Sequence, residues 1–219
     1  MFFIKKISIP QSIEVIKDYT FNSCSSLMEV TFELPSSISS FGKSSFNGCT
    51  SVENIIIPSS VTSIGDSCFN ECKSLINIST PSSVSHIGNS AFSRCSYLLK
   101  FDIPSSITSI EGSTFSFCSS LLRVTIPSSV TSIGGSAFAG CSSLLQITIP
   151  SSVTFIGKYA FNRCFSIEKN EILSSRKVIS ESVFNGHSSL NEFIIPSSVS
   201  MIEKSAFELS SLLSKDVQK

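Results

Sequence analysis

The sequence contains no tryptophan, only two histidines and few charged residues, which make up 15% of the chain. Soluble globular proteins usually carry about 25%. Lysine plus arginine and aspartate plus glutamate are equal at 16 each, so no long-range electrostatic field attracts the chain to a phosphate backbone or an anionic lipid surface. We therefore expect no nucleic-acid partner.

Long apolar runs are also missing. No run reaches the roughly 18 consecutive apolar residues that a membrane-spanning helix needs, so we expect no membrane span. The N-terminal stretch MFFIKKISIP contains no apolar run of the length found in secretory signals. The chain is therefore cytosolic, exported by an unconventional route, or part of a longer chain.

The residue types from which catalytic and metal sites are built are sparse. His86 and His187 are the only histidines, and no serine lies in a G-x-S-x-G motif. Cys68 and Cys72 are not followed by a second pair at zinc-finger spacing. The sequence therefore predicts a protein that is not an enzyme and that holds no metal or cofactor.

Proline marks an internal repeat. Seven of the eight prolines are separated by 23 residues or twice that number: Pro35, Pro58, Pro81, Pro104, Pro127, Pro150 and Pro196. Pro10 precedes Pro35 by 25 residues, and the cysteine spacing places the two additional residues between Cys24 and Pro35. A regular period of this length indicates a solenoid in which each coil stacks on the next.

Three apolar positions recur after the proline position. Phenylalanine follows it at Phe21, Phe46, Phe69, Phe92, Phe115, Phe138, Phe161, Phe184 and Phe207. A cysteine comes three residues later from Cys24 to Cys164, and His187 and Ser210 take that position in the last two repeats. An aliphatic residue such as Leu144 comes three residues later again. Because a single coil leaves these side chains in water, only stacking buries them.

The pattern within one repeat predicts two short extended segments. Residues 144–149 alternate inward at Ile147 and Ile149, as a strand does, and residues 130–133 form a second extended segment. We expect the glycine that follows, Gly134 in this repeat, to adopt a positive φ. The Ser-Ala-Phe stretch after it is predicted to form one helical turn.

The strand core Leu121-x-x-Val124-x-Ile126, with Ile-Pro, Ser-Val-Thr-Ser-Ile-Gly, Ala-Phe and Cys in order, closely resembles the BspA-like (treponemal-type) leucine-rich repeat. The resemblance implies a right-handed leucine-rich-repeat solenoid of β-rich coils of about 23 residues, with a parallel strand sheet on the concave face. We expect residues 1–219 to form a single solenoid of about nine coils. The asparagine ladder of standard leucine-rich repeats is not expected in this subtype.

The resemblance also implies a function. Proteins with these repeats are surface antigens of host-associated bacteria and are numerous in anaerobic parasitic protists, so the implied role is adhesion or recognition of a protein or cell-surface ligand, at the cell surface. The alternative is a structural repeat segment that self-associates end to end or belongs to a longer chain. The missing polar cap before Ile7, and the short segment SKDVQK as the only residues after Leu213, support this alternative, but adhesion or recognition is the first hypothesis.

The outward-pointing strand residues form the only array with chemical variety. The sheet would bring them side by side as a partner-binding stripe with a basic centre beside Asp102. The predicted partner-binding residues on the concave face are Glu29, Asn54, Asn77, Lys100, Asp102, Arg123, Thr125, Gln146, Thr148, Lys169, Glu171 and Glu192. A solvated sheet face without a ligand is an equally acceptable interpretation of these residues.

The column of seven cysteines from Cys24 to Cys164 allows two interpretations. Neighbouring coils would bring the Cα atoms within the range of about 4.4–6.8 Å in which disulfides form. In-register side chains point the same way rather than towards one another, however, so we favour small, buried, free thiols. Cys68, before Phe69, is interpreted in the same way.

One repeat, residues 165–187, departs from the pattern at five positions. Its departures are Leu173 for proline, Arg176 for an apolar residue, Ser180 for glycine, Asn170 for an inward strand residue and His187 for cysteine. Burying Asn170 or Arg176 without partners would be costly. We therefore expect this coil to be the weak point of the solenoid, with residues 188–219 opening more readily than residues 50–150.

Overall fold

The computed structural model describes residues 4–167, 169–172, 178–186, 192–195 and 197–208. Within these ranges the chain forms short strands joined by turns and contains no helix. The strands are β1 (Lys6–Ile9), β2 (Val15–Ile16), β3 (Glu29–Phe32), β4 (Ser40–Phe41), β5 (Asn54–Ile56), β6 (Ser63–Ile64), β7 (Asn77–Ser79), β8 (His86–Ile87), β9 (Lys100–Asp102), β10 (Ser109–Ile110), β11 (Arg123–Thr125), β12 (Ser132–Ile133), β13 (Gln146–Ile149), β14 (Phe155–Ile156), β15 (Lys169–Ile172), β16 (Val178–Ile179), β17 (Glu192–Ile194) and β18 (Met201–Ile202). Odd-numbered strands are the long strands of each coil, and even-numbered strands are the short ones.

Each strand pairs in parallel with the corresponding strand of at least one adjacent coil. The long strands form the pairs β1-β3 and β5-β7 and one continuous sheet, β9-β11-β13-β15-β17. The short strands form the sheets β2-β4-β6-β8, β10-β12-β14 and β16-β18. The pairing register is one repeat, with Arg123 opposite Lys100 and Ile133 opposite Ile110. The predicted solenoid of parallel coils is confirmed.

Phenylalanine forms a continuous stack through the core, which we call the Phe column. Ring centroids of successive members, from Phe21 to Phe207, lie 5.1–5.6 Å apart. The rings of successive coils therefore stack on one another through the core, and the concave position of the long-strand sheet stays a prediction.

The repeat glycine after the short strand is required for a different reason from the one predicted. Among the described residues three glycines have a positive φ, and none of them is at this position. A Cβ atom on Gly134 would lie 2.6 Å from the backbone nitrogen of Gly112, and one on Gly65 would lie 2.7 Å from the carbonyl carbon of Gly42. Successive coils approach so closely at this corner that a side chain would push them apart.

The prediction of a helical turn around the stacked phenylalanine is wrong. Ser136 and Gly140 have φ values of 57° and 74°, and left-handed residues cannot continue a right-handed helix. Instead, the N–H groups of Ser136, Phe138 and Gly140 donate to carbonyl oxygens of the next coil, at residues 158, 160 and 162. This ladder satisfies the backbone of a stretch that belongs to neither sheet.

The two additional residues of the first repeat lie at the corner between a long and a short strand. Ile9 pairs with Phe32, an interval of 23 residues, whereas Val15 pairs with Ser40, an interval of 25. The insertion therefore follows Phe32 directly, inside the segment predicted from the sequence. Leu34 is exposed at this corner, and the pairs β1-β3 and β2-β4 on either side of it are both formed.

The irregular repeat, residues 165–187, is only partly described. Leu173, Arg176 and His187 lie outside the described residues. Asn170 lies on β15 opposite Ile147, so the long-strand sheet continues through this repeat. Ser180 stands directly after β16 and is partly buried. The lower stability of this coil stays a prediction.

Candidate functional site

The outward-pointing residues of the long strands form one face, which we call the strand face. In β11 the exposed residues Arg123 and Thr125 flank the buried Val124, and β3, β5, β9 and β13 alternate in the same way. Every predicted binding residue from Glu29 to Thr148 is exposed: Glu29, Asn54, Asn77, Lys100, Asp102, Arg123, Thr125, Gln146 and Thr148. Lys169, Glu171 and Glu192 continue the same rows on β15 and β17, by strand position.

Strand pairing brings these residues together in two rows. In the first row Gln146 lies opposite Arg123, and Arg123 lies opposite Lys100. In the second row Thr125 lies opposite Asp102. Like charges directly opposite each other destabilise a sheet. Lys100 and Arg123, which we call the basic centre, are therefore in an arrangement that the fold itself does not favour.

Ion pairing neutralises one end of the strand face but not the basic centre. Lys6 Nζ lies 2.7 Å from Glu29 Oε2, and the hydrogen bond with Glu29 raises the pKa of Lys6. Over the part of the chain that the structure describes, neither Lys100 nor Arg123 forms an ion pair. Both cations are thus open to a carboxylate from outside.

The long-strand sheet is interrupted between β3 and β5 and again between β7 and β9. An open cleft of about 340 Å³ lies at the second interruption, lined by Asn77, Ile78, Ser79, Thr80, Lys100 and Asp102. Thr125 Oγ1 donates a hydrogen bond of 3.4 Å to Asp102 Oδ1 across the first strand pair of the continuous sheet. The basic centre therefore begins at a sheet edge.

A row of exposed leucines borders the basic centre, and the sequence analysis missed it. Leu99, Leu122 and Leu145, which we call the leucine row, are 41%, 44% and 54% exposed and directly precede the long strands. The repeat motif accounts for only the first leucine of each Leu-Leu pair, and those, such as Leu121, are fully buried. The doubled leucine in three consecutive repeats was the signal that could have revealed the row.

The leucine row and the basic centre line the same depression. Its volume is about 800 Å³, and its lining residues include Leu99, Lys100, Leu122, Arg123 and Leu145. Ligand sites commonly measure about 300–1,000 Å³ but enclose most of the ligand. This depression is open to solvent, so its shape suits the surface of a macromolecule better than a small molecule.

Comparison with known proteins identifies the family. The family model of the BspA type leucine-rich repeat region, with six copies, matches residues 2–122 and 113–219. The chain belongs to this BspA-type family. The resemblance indicated by the sequence is therefore confirmed. No curated protein matches the chain.

Two solved structures have the fold of this BspA-type chain. A leucine-rich repeat protein from Bacteroides ovatus is 28% identical with a TM-score of 0.76, over 93% of this chain and 64% of that one. The pneumococcal vaccine antigen PcpA is 22% identical with a TM-score of 0.68, over 94% of this chain and 60% of that one. The chain thus spans less than two thirds of the length of either protein. Leucine-rich repeats are a non-enzymatic family that typically acts in protein interaction.

The described part of the BspA-type chain contains no helix long and apolar enough to cross a membrane. Within the same residues, no group of three histidine, cysteine, aspartate or glutamate side chains could hold a metal ion. His86 is exposed on β8, and His187 lies outside the described residues.

Most cysteines of this BspA-type chain form hydrogen bonds to the preceding coil rather than disulfides. All eight are free thiols. The Sγ atoms of Cys118 and Cys141 donate to the carbonyl oxygens of Phe92 and Phe115 in the preceding coil, each at 3.1 Å. The same bond recurs at Cys49, Cys72, Cys95 and Cys164. The cysteine position thus supplies a small hydrogen-bond donor to a buried carbonyl group.

Burial also keeps these thiols protonated. Desolvation raises the pKa of Cys68 and Cys118 to about 12, and it raises the pKa of Cys72, Cys95 and Cys141 well above the usual value. Nucleophilic attack and metal binding both require the thiolate. The structure therefore agrees with the prediction of buried, free thiols for every cysteine except Cys24, which is only partly buried.

A short asparagine ladder lies at a repeat position other than that of the standard leucine-rich-repeat ladder, so it does not bear on the expectation that the standard ladder is absent. Asn47 Nδ2 donates to Asn22 Oδ1, and Asn70 Nδ2 donates to Asn47 Oδ1, both at 2.7 Å. These asparagines directly follow members of the Phe column. The ladder does not continue into the next coil, because Ser93 takes that position.

Proposed function

We propose that the chain is a protein-binding or adhesion module, similar to a surface antigen, that recognises its partner through the strand face. The observation that carries this proposal is the unpaired basic centre beside the exposed leucine row in one depression. Neither feature stabilises the fold, whereas apolar patches and arginines are typical of binding surfaces. The family supports the proposal, and so does the similarity to PcpA, which is a vaccine antigen.

The twelve strand-face residues predicted from the sequence are the proposed contact set. We place Lys100, Arg123 and Gln146 at its centre, because their row borders the leucine row. Asp102 and Thr125 form the second row. Asn77 and Thr148 also line the depression, and the remaining members would contribute at the two ends of the face.

Charge reversal tests the proposal. The purified chain is measured by surface plasmon resonance against a panel of immobilised cell-surface and extracellular-matrix proteins. The double variant Lys100→Glu, Arg123→Glu should bind its panel protein at least about tenfold more weakly, which corresponds to about 1.4 kcal/mol. Its thermal unfolding should be unchanged, because both side chains are exposed.

A matched reversal away from the strand face is the control. Lys73→Glu with Arg163→Glu makes the same change in net charge at exposed residues that form no ion pair within the described ranges. Lys158→Glu is unsuitable, because Lys158 Nζ lies 2.7 Å from Glu181 Oε2. Equal losses of affinity in the two double variants would contradict the proposal, and so would a panel without any binding protein.

A second candidate function is a structural segment that stacks end to end on a further coil. It is favoured by an open apolar cavity of about 340 Å³ on the first coil, lined by Ile13, Val15 and Phe21 among others. Ile13 and Val15 are 37% and 43% exposed. Light scattering decides between the candidates, because concentration-dependent growth supports stacking and a constant monomer mass supports a self-contained module.

A further inference from the structure

We propose that the strand face binds an acidic amphipathic helix of a partner protein, lying along the solenoid axis across β9, β11 and β13. This proposal rests on the proposed function and specifies the partner of the same surface. It draws on the leucine row, on the spacing of the strands and on the charge of the basic centre.

The leucine row provides the apolar contact. Leu99, Leu122 and Leu145 take the same position in three successive coils, so they form one strip rather than scattered exposed side chains. Single exposed leucines are ordinary in soluble proteins. A contiguous strip beside polar residues is typical of a surface that another chain covers.

The spacing of the strip selects the secondary structure of the partner. Adjacent strands lie about 4.8 Å apart, so the row offers one leucine about every 4.8 Å. An α-helix has a pitch of about 5.4 Å and can present one apolar residue per turn, at i, i+4 and i+7. An extended chain presents side chains on one face about every 6.7 Å, so its second side chain would already be displaced from the second leucine by about 2 Å. The side-chain spacing of a helix therefore fits the three leucines better.

The positive charge beside the leucine row indicates a negatively charged partner segment. Lys100 and Arg123 lie opposite each other and directly follow Leu99 and Leu122 in sequence. The nearby carboxylate of Asp102 already accepts a hydrogen bond from Thr125 Oγ1. A carboxylate between the two cations would relieve their repulsion and form charge-assisted hydrogen bonds. A helix with a glutamate beside each apolar residue would contact the leucine row and the basic centre at once.

The probe is a capped, fluorescein-labelled peptide of about 18 residues, long enough to be partly helical in water. It carries leucines at i, i+4 and i+7 and a glutamate after each leucine. Fluorescence anisotropy with the full chain should show saturable binding. Leu122→Gln and Arg123→Glu should each weaken binding at least about tenfold. Phe155→Gln is the matched control, because it removes a 57% exposed apolar side chain from β14, outside the depression, and should leave the affinity unchanged.

Two further peptides test helicity and charge separately. One has a central proline, which breaks the helix, and the other has glutamine for each glutamate. Both should bind at least about tenfold more weakly than the probe. Equal binding of the proline peptide would contradict the proposal that the partner segment is helical. Equal binding of the glutamine peptide would contradict the proposal that it is acidic. Unchanged binding by Leu122→Gln and by the milder Leu122→Ala would overturn the site.

Failure of this proposal differs from failure of the proposed function. If the probe does not bind while a panel protein still depends on Lys100 and Arg123, the strand face recognises a different shape, and only the helix proposal is wrong. If neither the probe nor any panel protein depends on these residues, both proposals are wrong.

Discussion

Replacing Phe138 with alanine tests whether the Phe column holds the coils together. The Phe138 ring is fully buried. Its centroid lies 5.4 Å from those of both Phe115 and Phe161, and its plane is within 9° of both neighbouring rings. The substitution removes the ring from the middle of the stack, so it weakens the interface with the coil on either side.

The expected loss lies in the upper part of the range for buried aromatic residues. Truncation of a buried phenylalanine costs about 3–5 kcal/mol, and each stacked pair contributes about 0.5–1.5 kcal/mol beyond burial. The cavity cannot collapse unless two coils move, because rings on both sides hold it open. We therefore expect a loss of about 4–5 kcal/mol in the free energy of unfolding.

Urea denaturation followed by circular dichroism measures this loss. Phe155→Ala is the control, because that ring is 57% exposed on β14, and we expect it to cost less than about 1 kcal/mol. Phe2, also outside the Phe column, lies outside the described residues. Similar small losses for Phe138→Ala and Phe155→Ala would show that the column does not stabilise the solenoid.

The other predictions concern the corner glycines, the thiols and the irregular coil. Gly134→Ala should destabilise the chain measurably in the same urea assay, because a Cβ atom there would lie 2.6 Å from backbone of the neighbouring coil. Gly135→Ala should have little effect, because the nearest backbone atom would be 3.4 Å away. Equal losses of stability would contradict the close approach of the two coils at Gly134. Burial raises the pKa of Cys118 from 9.0 to about 12, so the stability gained by burying the protonated thiol is complete below about pH 9 and is lost as the pH rises towards 12. The loss is up to about 1.4 kcal/mol per pH unit for each such thiol. A melting temperature that does not change between about pH 8 and 11 would contradict this pH dependence. Strand amides of residues 193–195 should exchange hydrogen faster than those of residues 124–126, and uniform protection would mean that the irregular coil is well packed.

Features that depend on one residue type at one repeat position could be predicted from the sequence. Phe138 and Leu144 recur at fixed intervals, and both are fully buried. The alternation at Ile147 and Ile149 likewise appears as two buried residues in β13. Burial of a repeated apolar side chain requires no knowledge of the neighbouring coil except that it exists.

Features that depend on the distance between coils could not be predicted. The sequence shows Gly134 but not the approach of Gly112, which lies in another coil. It shows Cys118 but not the carbonyl oxygen of Phe92. Leu122 is apolar yet exposed, because the inward positions of its strand are already taken by Leu121 and the residues that follow. The binding role of the strand face stays a prediction for the same reason, since it depends on a partner.

The direction of the hydrogen bonds between coils has a consequence for how such genes change. The thiols donate to the preceding coil and the turn amides donate to the next one, so each coil offers the same donors and acceptors at its two sides. Duplication or loss of one complete unit therefore recreates the same contacts at the new junction, whereas loss of part of a unit leaves donors without acceptors. Related genes should accordingly differ in length by whole repeats, and shorter insertions should fall at corners such as the one at Leu34.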